Sequence, residues 1–116
     1  MNQVVIVGRL TQDLTVEESE NGVKRTSANV AVNRGYKNVD GIYETDFIRC
    51  VFWNGIAETT ATYCHKGDIV GVKGRLQTSS YEKDGETKYS VEIIAEKVTF
   101  LSNKKNADIK TVSTDD

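Results

Sequence analysis

Phe47, Arg49 and Trp53 recur at alternate positions of the run Phe47-Ile48-Arg49-Cys50-Val51-Phe52-Trp53. Side chains on a strand point alternately to opposite faces. An extended run therefore puts Phe47, Arg49, Val51 and Trp53 on one side and Ile48, Cys50 and Phe52 on the other. The second set is an ordinary core face. The first is a poor one, because a buried guanidinium needs a compensating partner. It suits single-stranded nucleic acid instead: the rings stack on bases and the arginine meets phosphate. Val51 lies on that face and could simply space the two rings. The competing explanation is a strand at a subunit interface or beneath a helix, with Arg49 paired to a carboxylate.

The pattern recurs downstream. Lys73, Arg75, Gln77, Ser79 and Tyr81 share one parity, and Val70, Val72 and Leu76 share the other. Tyr36 stands among cations too, with Arg34 before it and Lys37 after it. Two strands with cations and a terminal aromatic on one face are harder to explain by core packing than one. Tyr43, Tyr63 and Tyr89 lack cationic neighbours in register and read as packing or turn-flanking residues.

The elements that must position these residues are mostly strands. Asn21-Gly22, Asp40-Gly41 and Asp84-Gly85 are hairpin signals. Around them alternation predicts strands at Val4–Leu10 (continuing, bent, through Leu14–Glu18), Thr26–Arg34, Tyr43–Trp53, Ile69–Ser80 and Lys88–Leu101. The phase slips at Ile93-Ile94, where a bulge or bend is expected. One helix is predicted over Gly55–His65. It has Asn54 as N-cap, an apolar stripe of Ile56, Ala57, Thr60, Ala61 and Cys64, and Gly67 as the stop. Five strands with one short helix between the third and fourth is the order of an OB-fold barrel, a mainly all-β architecture. Residues 1–101 form that domain, and residues 102–116 are expected to be a polar, flexible tail.

The chain of 116 residues is long enough for one domain with its own core. Its net charge of −2 and pI of 5.4 argue mildly against a nucleic-acid binder. Distribution counts for more: Arg9, Arg25, Arg34, Arg49 and Arg75 all fall in the first 75 residues, and acids gather in turns and the tail. A positive sheet face with an acidic rim is the expected outcome. No apolar run is long enough to span a membrane, the start lacks the features of a signal peptide, and Cys50 and Cys64 fit a reducing cytosol. Nothing points to an enzyme, a metal or a cofactor. His65 is the only histidine and reads as a solvated or helix-capping residue. Adjacent Cys64 and His65 do not make a nucleophile and base, and no metal-ligand spacing occurs. Gly71-Val72-Lys73-Gly74 reads as relief of barrel crowding, and Asp40, Glu44 and Asp46 as solvated acids.

Taken jointly, several motifs resemble the bacterial and phage single-stranded DNA-binding protein family. They are Val4-Val5-Ile6-Val7-Gly8-Arg9-Leu10-Thr11-Gln12-Asp13, Ala31-Val32-Asn33-Arg34, Asp46-Phe47-Ile48-Arg49-Cys50-Val51-Phe52-Trp53, Ala57-Glu58, Lys66-Gly67-Asp68 and Gly74-Arg75-Leu76-Gln77-Thr78. Their order and spacing match over about residues 1–101. The resemblance implies an OB-fold homotetramer that wraps and protects single-stranded DNA, without reading sequence, in replication, recombination and repair. Stacking aromatics would be Tyr36, Phe47, Trp53 and Tyr81. Phosphate contacts would be Arg34, Arg49, Lys66 and Arg75, with Lys73 a weaker candidate. The implied place is the cytoplasm, with the nucleoid, or a host cytoplasm for a phage member. Leu14 departs from the family's proline, and Ser79-Ser80 from its basic segment. The acidic Pro-Phe tip that recruits partners in the family is absent from this sequence. The alternatives are an OB-fold RNA-binding or primosome-type accessory protein, and a module using the same face for a protein partner.

Overall fold

The computed structural model describes residues 1–101 and 110–113. The alternating segments become β1 (Val4–Leu10), β2 (Glu17–Glu18), β3 (Lys24–Lys37), β4 (Tyr43–Trp53), β5 (Ile69–Lys83), β6 (Glu86–Phe100) and β7 (Lys110–Ser113), with one helix, α1 (Asn54–Tyr63), between β4 and β5. The strands pair in the order β1-β5-β6-β4-β3, and β1 returns to β3 at Arg9↔Ala31 and Leu10↔Val30 to close a five-stranded barrel. Every barrel pairing is antiparallel except β4 with β6, which run parallel where Cys50 meets Ile93 and Val51 meets Ile94. This is the OB-fold arrangement.

Period-2 alternation fills the barrel. Val30, Cys50, Phe52, Val70, Val72, Ile93 and Val98 point inward and are almost wholly buried, and α1 adds Ile56 and Ala57 to the same cluster. Burying an aliphatic or phenyl side chain is worth about 1.5–3 kcal/mol, so this set supplies the main drive for closure. The arms project beyond it. From Arg75 onward β5 is exposed on both faces. Leu76, which parity places with Val70 and Val72, is therefore 46% exposed. Alternation sorts inside from outside only where there is an inside, and the core ends at Gly74.

The hairpin signal Asp84-Gly85 becomes a two-residue turn between paired Lys83 and Glu86, with φ of +53° and +78° at its two positions. The phase slip near Ile93-Ile94 is resolved two residues later. Lys73 pairs Lys97 but Gly74 pairs Ala95, leaving Glu96 as the extra residue of a bulge. Gly74 sits at this defect because nothing larger fits: a Cβ there would lie 2.0 Å from the Ile94 carbonyl oxygen. At Gly71 the nearest atom to such a Cβ is 3.6 Å away, so crowding explains Gly74 and not Gly71.

The helix differs from expectation at both ends. Asn54 is not its cap. It has a left-handed φ of +51°, and its Oδ1 accepts a 3.1 Å hydrogen bond from the Lys24 backbone N–H, tying the helix start to β3. The helix ends at Tyr63, and Gly67 serves the later turn, donating its N–H to the Leu10 carbonyl at 2.9 Å. The polar tail also departs from expectation. Residues 110–113 form β7 on the edge of β6, with Val98 opposite Val112, which packs against the core. A ladder of unpaired β6 groups recruits even a short Thr-Val pair, which polar composition hides. The remaining tail residues lie outside those described.

Gly74→Ala should destabilise the protein by about 1–3 kcal/mol through overpacking, whereas Gly71→Ala should change little. Urea denaturation of the two variants checks this, and equal midpoints would contradict the crowding at Gly74.

Candidate nucleic-acid interface

Residues directly opposite each other on paired strands share a face. Across β3 and β4, Arg25 faces Trp53, Ser27 faces Val51, Asn29 faces Arg49 and Ala31 faces Phe47. Val51 lies beside Ile94 of β6. On β6, Ile94 faces Arg75 of β5, Glu92 faces Gln77 and Lys88 faces Tyr81. One outward sheet surface therefore runs from Arg25 and Trp53 through Arg49 and Phe47, across β6, to Arg75 and Tyr81. The two separate cation–aromatic strands of the sequence are joined by β6.

The surface keeps its rings in solvent. Phe47 is 64% exposed, Trp53 40% and Tyr81 53%, while Cys50 and Phe52 between the β4 rings are fully buried. Val51 is not a spacer on an open face, for it is buried beside Ile94. Tyr36 lies further out. Between Asn33↔Thr45 and Lys37↔Tyr43 three residues of β3 oppose one of β4, and this irregularity re-aims the segment carrying Arg34 and Tyr36. Tyr36 remains exposed there. Tyr43 does have a cationic neighbour in register, contrary to expectation: the Lys37 ammonium lies 5.6 Å from its ring centroid.

The cations are less free than an even positive face would require. Arg34 is gripped by two carboxylates, donating from Nη2 to Asp46 at 2.9 Å and from Nη1 to Glu44 at 2.5 Å. These acids, which read as solvated in the sequence, are thus ion-pair partners. The hydrogen bond from Arg34, reinforced by its charge, holds the Asp46 carboxyl below the usual range, and the same contacts raise Arg34. Arg49 donates from Nε to Glu92 at 3.1 Å. That is the carboxylate pairing of the competing explanation, yet Arg49 stays on the open face beside exposed Phe47. Arg75 donates to the Gln77 side chain at 2.8 Å. Acids therefore sit within the cationic face and not only at its rim.

Two candidate cations lie apart. Lys66 is in the turn after α1, its backbone N–H bonded to Asp13 at 2.8 Å. Lys73 stands opposite Val5 and Lys97, on the part of the barrel wall that carries exposed Val5 and Val7. Arg25, which the strand boundary at Thr26 leaves outside the alternation, is brought into the surface because β3 begins at Lys24. Its guanidinium lies 5.5 Å from the Trp53 ring centroid. The signal in the sequence was only its parity with Ser27 and Asn29. Both thiols are poor nucleophiles: burial pushes Cys50 up to about 12, and burial with the nearby Asp68 charge does the same for Cys64. Among the described residues no group of acids, cysteines and histidine is placed to hold a metal.

The sequence profile of the Single-strand binding protein family matches residues 1–101. The chain is 48% identical over 105 residues to a single-stranded DNA-binding protein of Oceanobacillus iheyensis, covering 90% of this chain and 65% of that protein. It is 48% identical over 107 residues to single-stranded DNA-binding protein 3 of Listeria innocua, covering 91% and 67%. To single-stranded DNA-binding protein B of Bacillus subtilis it is 44% identical over 104 residues, covering 89% and 92%. The chain thus spans about two thirds of the length of the first two relatives and most of the third.

The Arg34–Asp46 pair gives a pH signature. A carboxyl whose pKa is lowered by folding stabilises the fold above the ordinary carboxylate range, and that contribution disappears as pH falls through the lowered value. The thermal midpoint of the unaltered chain should exceed that of Asp46→Asn at neutral pH, with the gap closing on acidification. A gap that stays constant with pH would refute the assignment.

Proposed function

Because the chain belongs to the single-strand binding protein family, we propose that it binds and protects single-stranded DNA without reading sequence, in replication, recombination and repair. The observation that carries this reading is the single outward surface on which exposed Phe47 and Trp53 flank Arg49 and continue across β6 to Arg75 and Tyr81. Phe47, Trp53, Tyr81 and, on the arm, Tyr36 stack on bases, each ring contributing about 1–3 kcal/mol. Arg49 and Arg75 meet phosphates, and Lys66 and Lys73 extend the contact beyond the face. Arg34 joins only after exchanging a carboxylate for a phosphate. Stacking needs only a π-face, which every base has, so sequence is not read. No chemical step is required of any residue. The place of action is the cytoplasm, on exposed DNA of the nucleoid.

The same reading includes assembly into a homotetramer. Among the described residues, β1 from Val4 to Gly8 is paired only on its β5 side, and Val5 and Val7 are 68% and 53% exposed. A free strand edge beside apolar side chains is a liability that a second copy of the chain removes. Several sites in one assembly then bind one strand with avidity beyond any single subunit.

Titration with poly(dT) should quench Trp53 fluorescence, and the affinity should fall as salt rises. Joint Phe47→Ala and Trp53→Ala substitution, followed by an electrophoretic or anisotropy readout, should weaken binding by about 2–6 kcal/mol with little change in thermal midpoint. Intact affinity in that variant would place the binding surface elsewhere, and preference for a matched RNA strand would favour the RNA-binding alternative. Light scattering should return the mass of a tetramer.

A further inference from the structure

Four of the five arginines have their guanidinium groups engaged by protein oxygen atoms. Arg9 donates to the Gly67 carbonyl at 2.6 Å, Arg34 to Glu44 and Asp46, Arg49 to Glu92 and Arg75 to Gln77. Neighbouring Lys24 is likewise held between Glu58 and Glu18. Arg25 is the exception. Among the described residues no oxygen accepts from it, and its only contact of this kind is the Trp53 ring, 5.5 Å from the guanidinium carbon to the centroid.

An arginine has N–H donors in a planar fork that matches phosphate, and its charge is permanent. Left without an oxygen acceptor beside an exposed indole, it can meet an anion without first giving up a partner, whereas Arg34 and Arg49 are held by carboxylates and Arg75 by the neutral Gln77 amide. We propose that Arg25 is a nucleic-acid-contacting residue: it grips the phosphate next to the base stacked on Trp53. The inference rests on the single-strand-binding reading of the same surface and adds a residue to it. In the free protein the cation–π contact keeps Arg25 against the ring. On binding, the guanidinium turns from the ring to the phosphate while the ring takes the base. Trp53 and Arg25 are cross-strand partners at the β4 end of the surface, so the pair marks the end of the strand's path opposite Tyr81. Arg34 and Arg49, by contrast, must exchange a carboxylate for a phosphate, and their net contribution is smaller.

The test is the salt dependence of oligo(dT) binding, measured on the whole chain by fluorescence anisotropy of a labelled strand. Arg25→Gln should reduce the magnitude of the slope of log affinity against log salt by about 0.7, the value for one phosphate contact on a single strand. Its affinity at low salt should fall about tenfold. Arg25→Lys should retain the slope and recover much of the affinity. An Arg25→Gln protein with unchanged slope, whether or not its affinity falls, would overturn the proposal, since a residue that only props the Trp53 ring alters affinity without altering ion release. If the unaltered protein fails to bind oligo(dT), this inference falls together with the reading it rests on. If it binds and the variant matches it, only this inference falls.

Discussion

The molecule depends on the register between β3 and β4. With Ala28 opposite Cys50 and Val30 opposite Ile48, the inner face of the pair joins the barrel core, and Phe47, Arg49 and Trp53 are left outside. A slip of one residue would drive a guanidinium and two large rings into the core and put Cys50 and Phe52 in water. The free energy that buries Phe52, Cys50 and Val30 is thus the same free energy that presents the rings. The core and the exposed aromatic surface are two faces of one strand pair.

Closure adds a second requirement, met by a defect. β6 must hold β5 along one edge and reach β4 on the other. The bulge at Glu96 and the bare Cα of Gly74 allow the close approach at which Ile93, Ile94 and Ala95 are buried in succession. Through that contact β6 bridges the β4 rings and the β5 cations. Beyond Gly74 the same two strands have no core beneath them and become an exposed arm bearing Tyr81. The transition from barrel wall to arm is a change of burial, not of secondary structure.

Electrostatically the surface is poised. A net charge of −2 coexists with arginines on the outer face because local acids hold some of them, Arg34 by Glu44 and Asp46 and Arg49 by Glu92. The Arg34 pairs lie at the surface, where ion pairs are weak in water, whereas the Glu92 carboxylate that holds Arg49 is only 12% exposed.

Strand alternation, turn dipeptides and the single helical stripe were enough to read the barrel, the buried Cys50 and Phe52, and the exposed Phe47 and Trp53. Those features depend on local periodicity, and β4 has the bounds its alternation predicts. Partners distant along the chain were not legible. Nothing in the sequence near Arg34 or Arg49 distinguishes a free cation from one gripped by Asp46 or Glu92. The burial of Val51 depends on Ile94, which is 43 residues away. The loss of Asn54 as a cap depends on Lys24, and β7 depends on an edge that only the folded β6 offers. The sequence by itself determined which residues of a strand share a face, because alternation is a property of one strand. The tertiary structure alone decided which faces are buried, which outward residues meet, which charges cancel and which arginine has no oxygen partner among the described residues, because these follow from pairing between strands far apart in the chain.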